Sequence, residues 1–349
     1  MHVADALISP AVGGTMWAAA AVLTLYSAGR VKRQLDERKV PLMGVLGAFI
    51  FAAQMVNFAV PGTGSSGHLG GGVILAILLG PPAAFITIAS VITVQAVFFA
   101  DGGLLALGCN VFNLGFFPAF VAYPLVYKRV AGSQPRRGRI PAAAIAASIV
   151  ALQLGAFAVV IETVLSGRAD LPFRTFLLLM QPIHLLIGVV EGVITAAVVS
   201  FVREAQPGLL DASPPTCLPR EVARSVAMWF LVLAIVIGGG LVWFASTQPD
   251  GLEWAVSRAL RGNQLQPSDS SAHSRAAWIQ ERTAVLPDYD FPHETAGADN
   301  DGAWPNVRAG ASVSGLVGGA MSLALVGVIA FALRRGARAS QENSDHGAR

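Results

Sequence analysis

Eight apolar runs decide what this chain can fold into: they lie at roughly 10–29, 41–60, 71–100, 104–127, 140–162, 182–202, 225–245 and 311–333. Each is near or above the ~20 residues that carry a helix across a hydrocarbon core. What remains is too poor in charge to cover such surfaces for water. Of the 349 residues 54% are hydrophobic and 13% charged, where soluble domains carry about 25% charge. A mean hydropathy of +0.59 agrees. The pattern predicts an all-α, multi-pass integral membrane protein. No Lys or Arg precedes the first run, and Asp5 stands where a signal peptide has its basic region. That run is therefore expected to stay as a span, and Met1 to stay with it.

Basic residues gather at 30–39 (Arg30, Lys32, Arg33, Arg38, Lys39), at 128–139 (Lys128, Arg129, Arg136, Arg137, Arg139), at 203–224 (Arg203, Arg220, Arg224) and in the tail (Arg334, Arg335, Arg338). The positive-inside rule puts all of these in the cytoplasm, and the N-terminus outside, one span away. An even number of crossings must then separate the first two clusters, yet only three runs lie between them. The run 71–100 contains Gly80-Pro81-Pro82, where a missing N–H donor and the pre-proline restriction end a helix. Splitting it there gives about nine transmembrane segments, N-terminus outside and C-terminus cytoplasmic. The extra segment, about 69–80, is short, so the backbone before it (Pro61–His68) must dip into the membrane while buried in protein.

The chain divides into a seven-segment module (1–203), a proline-rich cytoplasmic linker (204–224), a two-segment hairpin (225–333) and a cytoplasmic tail (334–349). The hairpin carries an external loop, 246–310, with nine acidic and five basic residues. Composition also excludes function classes. Six His and two Cys, Cys109 and Cys217, build neither a disulfide framework nor a multi-Cys metal site. No Gly-x-x-x-x-Gly-Lys-Ser/Thr occurs, so ATP hydrolysis by a P-loop is not expected of this chain. Without His-Glu-x-x-His, a metalloprotease finds no support either. The net charge of +3 and pI near 9.1 come from the loop clusters that set topology, and no nucleic-acid partner is implied.

A His at position 2 is ordinarily an exposed terminal residue, but its position has a chemistry of its own. The α-amine of Met1, the amide nitrogen of His2 and its Nδ1 close a five-membered and a six-membered chelate ring around one metal. A deprotonated amide is a strong-field donor that favours square-planar ions such as nickel(II), copper(II) or low-spin cobalt(II) over tetrahedral zinc. A fourth equatorial donor is available in His68, on the external side within the glycine-rich dip. The plain alternative for His68 is a helix-capping or hydrogen-bonded histidine; ionisable residues at membrane depth are functional candidates by default.

Several motifs occur together and in order: Met1-His2-Val3-Ala4-Asp5-Ala6-Leu7-Ile8-Ser9-Pro10, Gln54-Met55-Val56-Asn57-Phe58, Gly62-Thr63, Ser66-Gly67-His68-Leu69, Gly108-Cys109-Asn110-Val111-Phe112-Asn113, and His184 with Glu191-Gly192-Val193-Ile194-Thr195. Over about 1–203 this resembles the CbiM/NikM family, the metal-binding substrate components of energy-coupling-factor cobalt and nickel importers. The region 225–333, with Pro249-Asp250-Gly251-Leu252-Glu253, resembles their small PDGLE-type companion subunit, CbiN/NikN, here fused to the same chain. The resemblance implies that the nitrogens of Met1 and His2 join His68 as the substrate site. It also implies partners outside this chain, a transmembrane coupling subunit and a pair of cytosolic ATPases, and no cofactor beyond the Co²⁺ or Ni²⁺ transported.

Asn57, Asn110 and Asn113 read either as interhelical hydrogen-bond donors or as residues that orient the His68 ring from behind. His184 and Glu191, seven apart, share one helix face, and mutual or cross-helix pairing is their expected role. Glu162 and Asp101 read as solvated helix ends, and His273 and His293 as incidental loop residues. The leading reading is capture of Ni²⁺ or Co²⁺ for ATP-driven import. A stand-alone secondary transporter or channel is the alternative, disfavoured because ionisable residues inside the runs are few and form no relay.

Overall fold

The computed structural model describes residues 2–34, 39–132, 138–168, 171–205, 220–260, 270–291 and 304–347. Each apolar run forms helix: α1 (Pro10–Gln34), α2 (Lys39–Gln54), α3 (Gly72–Leu79), α4 (Pro81–Phe98), α5 (Leu107–Ala131), α6 (Arg139–Ser166), α7 (Phe173–Ala205), α8 (Arg220–Gly239) and α11 (Ala309–Gly347). Six of them (α1, α4, α5, α6, α7 and α11) are long and apolar enough to cross a membrane; α2 and α8 are shorter apolar helices. The protein is thus a mostly helical, multi-pass membrane protein. Two short helices, α9 (Gly251–Ala259) and α10 (Ser271–Thr283), lie between α8 and α11. Arg38, Arg136, Arg137 and the 206–219 part of the linker fall outside the described residues.

The break at Gly80-Pro81-Pro82 is as expected. α3 stops at Leu79, Gly80 takes φ +86°, and Pro81 opens α4 at a position where its missing N–H costs nothing. Every residue of α3 is buried. The run 41–60 is not one helix, however. α2 ends at Gln54, and Phe58–Val60 pairs antiparallel with Ser65–Gly67, Phe58 opposite Gly67 and Val60 opposite Ser65. The turn between them needs left-handed backbone at Gly62 and Gly64, both at φ +75°. The dipping segment is therefore a β-hairpin whose second strand, with everything on to Leu79, is buried in protein.

α6 and α7 pack backbone to backbone, as Gly188 and Gly192 let α7 approach Ile149 and Ile145 of α6. The buried face of α7 carries Met180, Ile183, His184, Ile187, Glu191 and Thr195, while Leu178, Leu185, Leu186, Val189 and Val193 are exposed. An exposed face of that composition suits lipid rather than water. The hairpin of α8 and α11 closes on itself at Gly238 and Gly315 and lays α11 against Gly44 and Gly47 of α2. Burial is continuous across both modules, from Phe51, Phe85 and Phe99 to Phe230.

Candidate metal centre

The segment before α1 is fixed by its backbone. Asn110 of α5 holds Val3 on both sides, with its Oδ1 accepting from Val3 N at 2.7 Å and its Nδ2 donating to Val3 O at 3.2 Å. Gly103 N donates to the same carbonyl at 3.0 Å. The segment runs so close over Gly102-Gly103 that a Cβ at 102 would meet the Asn110 amide and the Cβ of His2, and one at 103 would overlap Asp5. The Asp5 carboxylate in turn accepts from Ala106 N at 2.9 Å. Asn110 is thus a backbone clamp on the residue that follows His2.

So held, His2 places its ring parallel to that of His68, with centroids 5.2 Å apart and an interplanar angle of 4°. A metal binds imidazole in the plane of the ring, about 2.0 Å from the nitrogen, so the two rings stand close enough to share one ion once one of them turns out of the stack. His68 Nδ1 donates to the Leu69 carbonyl at 3.1 Å, which makes Nε2 the ring's lone-pair nitrogen. His2 Nδ1 faces the Asp101 carboxylate at 3.1 Å, and its Nε2 is buried with no hydrogen-bond partner among the described residues. Met1 lies outside the described residues.

Asp101 is not the solvated helix end expected of it. Its Oδ1 takes the His2 ring, and its Oδ2 accepts from the Tyr289 hydroxyl at 2.5 Å. Burial alone would raise its pKa. The His2 ring and the Tyr289 hydroxyl outweigh that and hold the carboxyl well below the usual range.

Behind His68, Glu191 of α7 accepts from Gly70 N at 2.9 Å and Gly71 N at 3.0 Å. Gln54 Nε2 donates to Gly70 O at 2.9 Å, and Gln95 Nε2 to Gln54 Oε1 at 2.9 Å. The peptide after His68 is therefore gripped from both faces. His184 does not pair with Glu191; its Nδ1 donates to Met180 O, one turn back, at 2.8 Å. Asn113 turns away from His68 and donates to Glu162 at 2.8 Å, so Glu162 is buried rather than solvated. Asn57 contributes its backbone carbonyl, which accepts from Ser246 N at 2.7 Å.

The second module supplies the outer wall. Ser66 N donates to Pro249 O at 2.7 Å, and the Trp254 indole N–H to Thr63 O at 2.9 Å. Asp250 caps α9 and lines, with Gly67, His68, His184 and Gly251, a cavity of about 10 Å³, room for one ion or water. His273 of α10 donates from Nε2 to the carbonyls of Asp5 and Ile8, at 3.0 and 2.9 Å. It is a clamp on the N-terminal segment rather than an incidental loop residue; His293 lies outside the described residues. Among the described residues, no three His, Cys, Asp or Glu side chains gather as a metal-ligand set.

The grip of Glu191 is testable. Glu191→Gln offers one acceptor oxygen to two N–H donors and turns an amide NH₂ toward the other. An unmet buried donor costs about 1–3 kcal/mol. Faster hydrogen exchange at Gly70 and Gly71 is expected, with weaker metal binding; unchanged exchange there would show that the carboxylate does not hold the loop.

Fold and site together define a multi-pass membrane protein with a buried pair of imidazoles beside its N-terminus. Residues 2–209 match the family described as "CbiM: Cobalt uptake substrate-specific transmembrane region", residues 224–335 match the PDGLE domain, and the chain belongs to this family of nickel and cobalt transport proteins. It is 32% identical to a provisionally named fused nickel transport protein NikMN of Archaeoglobus fulgidus, over 97% of this chain and 99% of that one. It is 28% identical to the fused nickel transport protein NikMN of Rhodobacter capsulatus, over 83% and 88%. The cobalt transport protein CbiM of Geobacter sulfurreducens is 27% identical over 77% and 80%.

Proposed function

We propose that the chain captures Ni²⁺ or Co²⁺ with high affinity at the external face of the inner membrane. It then delivers the ion inward as the substrate-binding subunit of an ATP-driven energy-coupling-factor importer, serving cobalamin biosynthesis or nickel enzymes. The closeness of the His2 and His68 rings, with centroids 5.2 Å apart, is the observation that carries the reading. Residues 1–203 form the capture module with the N-terminus outside, 204–224 a cytoplasmic linker, 225–333 the companion hairpin and 334–349 a cytoplasmic tail. A membrane coupling subunit and cytosolic ATPases are the partners.

The donors are the α-amine of Met1, the amide nitrogen and Nδ1 of His2, and Nε2 of His68. Two imidazoles alone hold a divalent ion loosely. Adding the amine and a deprotonated amide makes a planar four-nitrogen set of the kind nickel(II) favours. Chelation would turn the His2 ring about Cβ–Cγ so that Nδ1 leaves Asp101, giving up the proton it holds against that carboxylate to solvent or, in the other tautomer, to Nε2, and offering its lone pair to the metal. Asn110 and Glu191 orient the two histidine-bearing segments from behind, a role in which partners of the ligands set ring direction and affinity. The proposal requires Met1 to be the mature, unblocked terminus, which N-terminal sequencing of the purified protein checks.

Membranes holding this chain alone are expected to bind labelled nickel or cobalt without accumulating it, and to accumulate it with ATP once the coupling subunit and ATPases are added. Uptake driven by an ion gradient, with neither partners nor ATP, would replace the proposal by a secondary transporter.

A further inference from the structure

We propose that Asp250, carried by the second module, supplies the fixed negative charge that balances the bound cation. The inference rests on the nitrogen site proposed above. Its charges do not cancel: a divalent ion with one deprotonated amide and three neutral donors leaves a net charge of +1. A buried, uncompensated charge is strongly disfavoured. Some carboxylate must therefore stand close by, and it must do so without occupying one of the four planar positions.

Two carboxylates come near. Asp101 stands on the His2 side, one oxygen on that ring and the other under the Tyr289 hydroxyl, and it loses the first of these contacts when the ring turns to the metal. Asp250 stands on the other side, lining the same 10 Å³ cavity as His68 and His184. Its Oδ1 accepts from Leu252 N and Glu253 N, both at 2.8 Å. Two N–H donors favour the ionised carboxyl and commit that oxygen to the helix cap. Held there, the carboxylate is placed to act on the metal through its field, and an unchanged planar spectrum in the variants below separates that role from ligation.

Its position is built rather than incidental. Ser66, two residues before His68, bonds to the backbone on the N-terminal side of Asp250 twice over, through N to Pro249 O at 2.7 Å and through Oγ to Gln248 O at 2.7 Å. Gly251 packs onto Ile183 and His184, where any Cβ would collide with Ile183. Glu253 completes the cap by accepting from Asp250 N at 3.2 Å. The sequence Pro249-Asp250-Gly251-Leu252-Glu253 is then a device for setting one carboxylate against His68. Pro249 presents its carbonyl to Ser66, Gly251 permits the approach, and Glu253 closes the cap. Asp250 is a positioning residue that makes the affinity of the first module depend on the second.

The test uses the purified full chain with Ni²⁺, read both by equilibrium dialysis and by the visible absorption of planar nickel. Asn and Ser cap helices as well as Asp does, so Asp250→Asn and Asp250→Ser remove the charge and keep α9 docked; Trp254 fluorescence reports that docking. Both variants are expected to bind about 10- to 100-fold more weakly, the usual effect of altering a partner behind the ligands, with the planar spectrum intact. Glu281→Gln removes an exposed carboxylate of α10 that does not line the cavity and should bind as wild type does. Wild-type affinity in Asp250→Asn, or an equal loss in Glu281→Gln, would overturn the assignment. A wild-type protein that binds Ni²⁺ without a planar nitrogen spectrum would instead overturn the terminal chelate.

Discussion

Replacing His68 by alanine is expected to leave the protein folded and inserted but to weaken Ni²⁺ or Co²⁺ binding by more than about a hundredfold, beyond what changes behind the ligands cause. His2→Ala should do the same. Neither imidazole holds the local fold together. The strand before His68 is anchored by Ser66 to Pro249, and the peptide after it by Glu191 and Gln54. The segment around His2 is anchored through Val3 and Asp5. In the proposed site each variant loses one of four planar donors, and His2→Ala also loses the six-membered chelate ring. Because the metal displaces protons from its ligands, affinity should fall as the pH is lowered. Calorimetry on the purified proteins decides the matter, and wild-type affinity in either variant would remove that residue from the site.

The helices were legible because hydropathy and proline carry them. The α3–α4 break follows from Gly80-Pro81-Pro82 alone. The hairpin was not, since Phe58-Ala59-Val60 is as apolar as the helix before it and hydropathy cannot separate a strand from a last helical turn. What decides there is left-handed backbone at Gly62 and Gly64. The imidazole pair could be read from local chemistry, because the terminal chelate needs only two adjacent residues. Its surroundings could not. Tyr289 reaches Asp101 across 188 residues, and His273 reaches Ile8 across 265, pairings that no spacing rule announces. His184 and Glu191 do share a helix face, as their spacing requires. Each nevertheless finds a nearer partner, His184 in the carbonyl one turn back and Glu191 in two loop N–H groups. Periodicity fixes which way side chains point, and tertiary packing chooses what they meet.

Inserting one residue between Met1 and His2 is expected to abolish uptake without abolishing metal binding. The longer terminus presents an amine, two amide nitrogens and the displaced imidazole, which together fill all four planar positions. His68 then has nothing left to bind. Combining the insertion with His68→Ala should therefore change the affinity of the insertion variant little, whereas His68→Ala in the natural sequence should be ruinous. Uptake fails because the metal no longer ties the N-terminal segment to the hairpin, and because the shifted ring leaves the place that Asn110 and the Gly102-Gly103 backbone define for it. Blocking the amine is the harsher change. An acetylated or uncleaved tagged terminus keeps two imidazoles and loses the chelate, so binding and uptake should both be lost, and both should return when a protease restores Met1 as the first residue. Equal uptake by the tagged and cleaved proteins would mean that His2 acts without the terminus, as a lone imidazole held against Asp101.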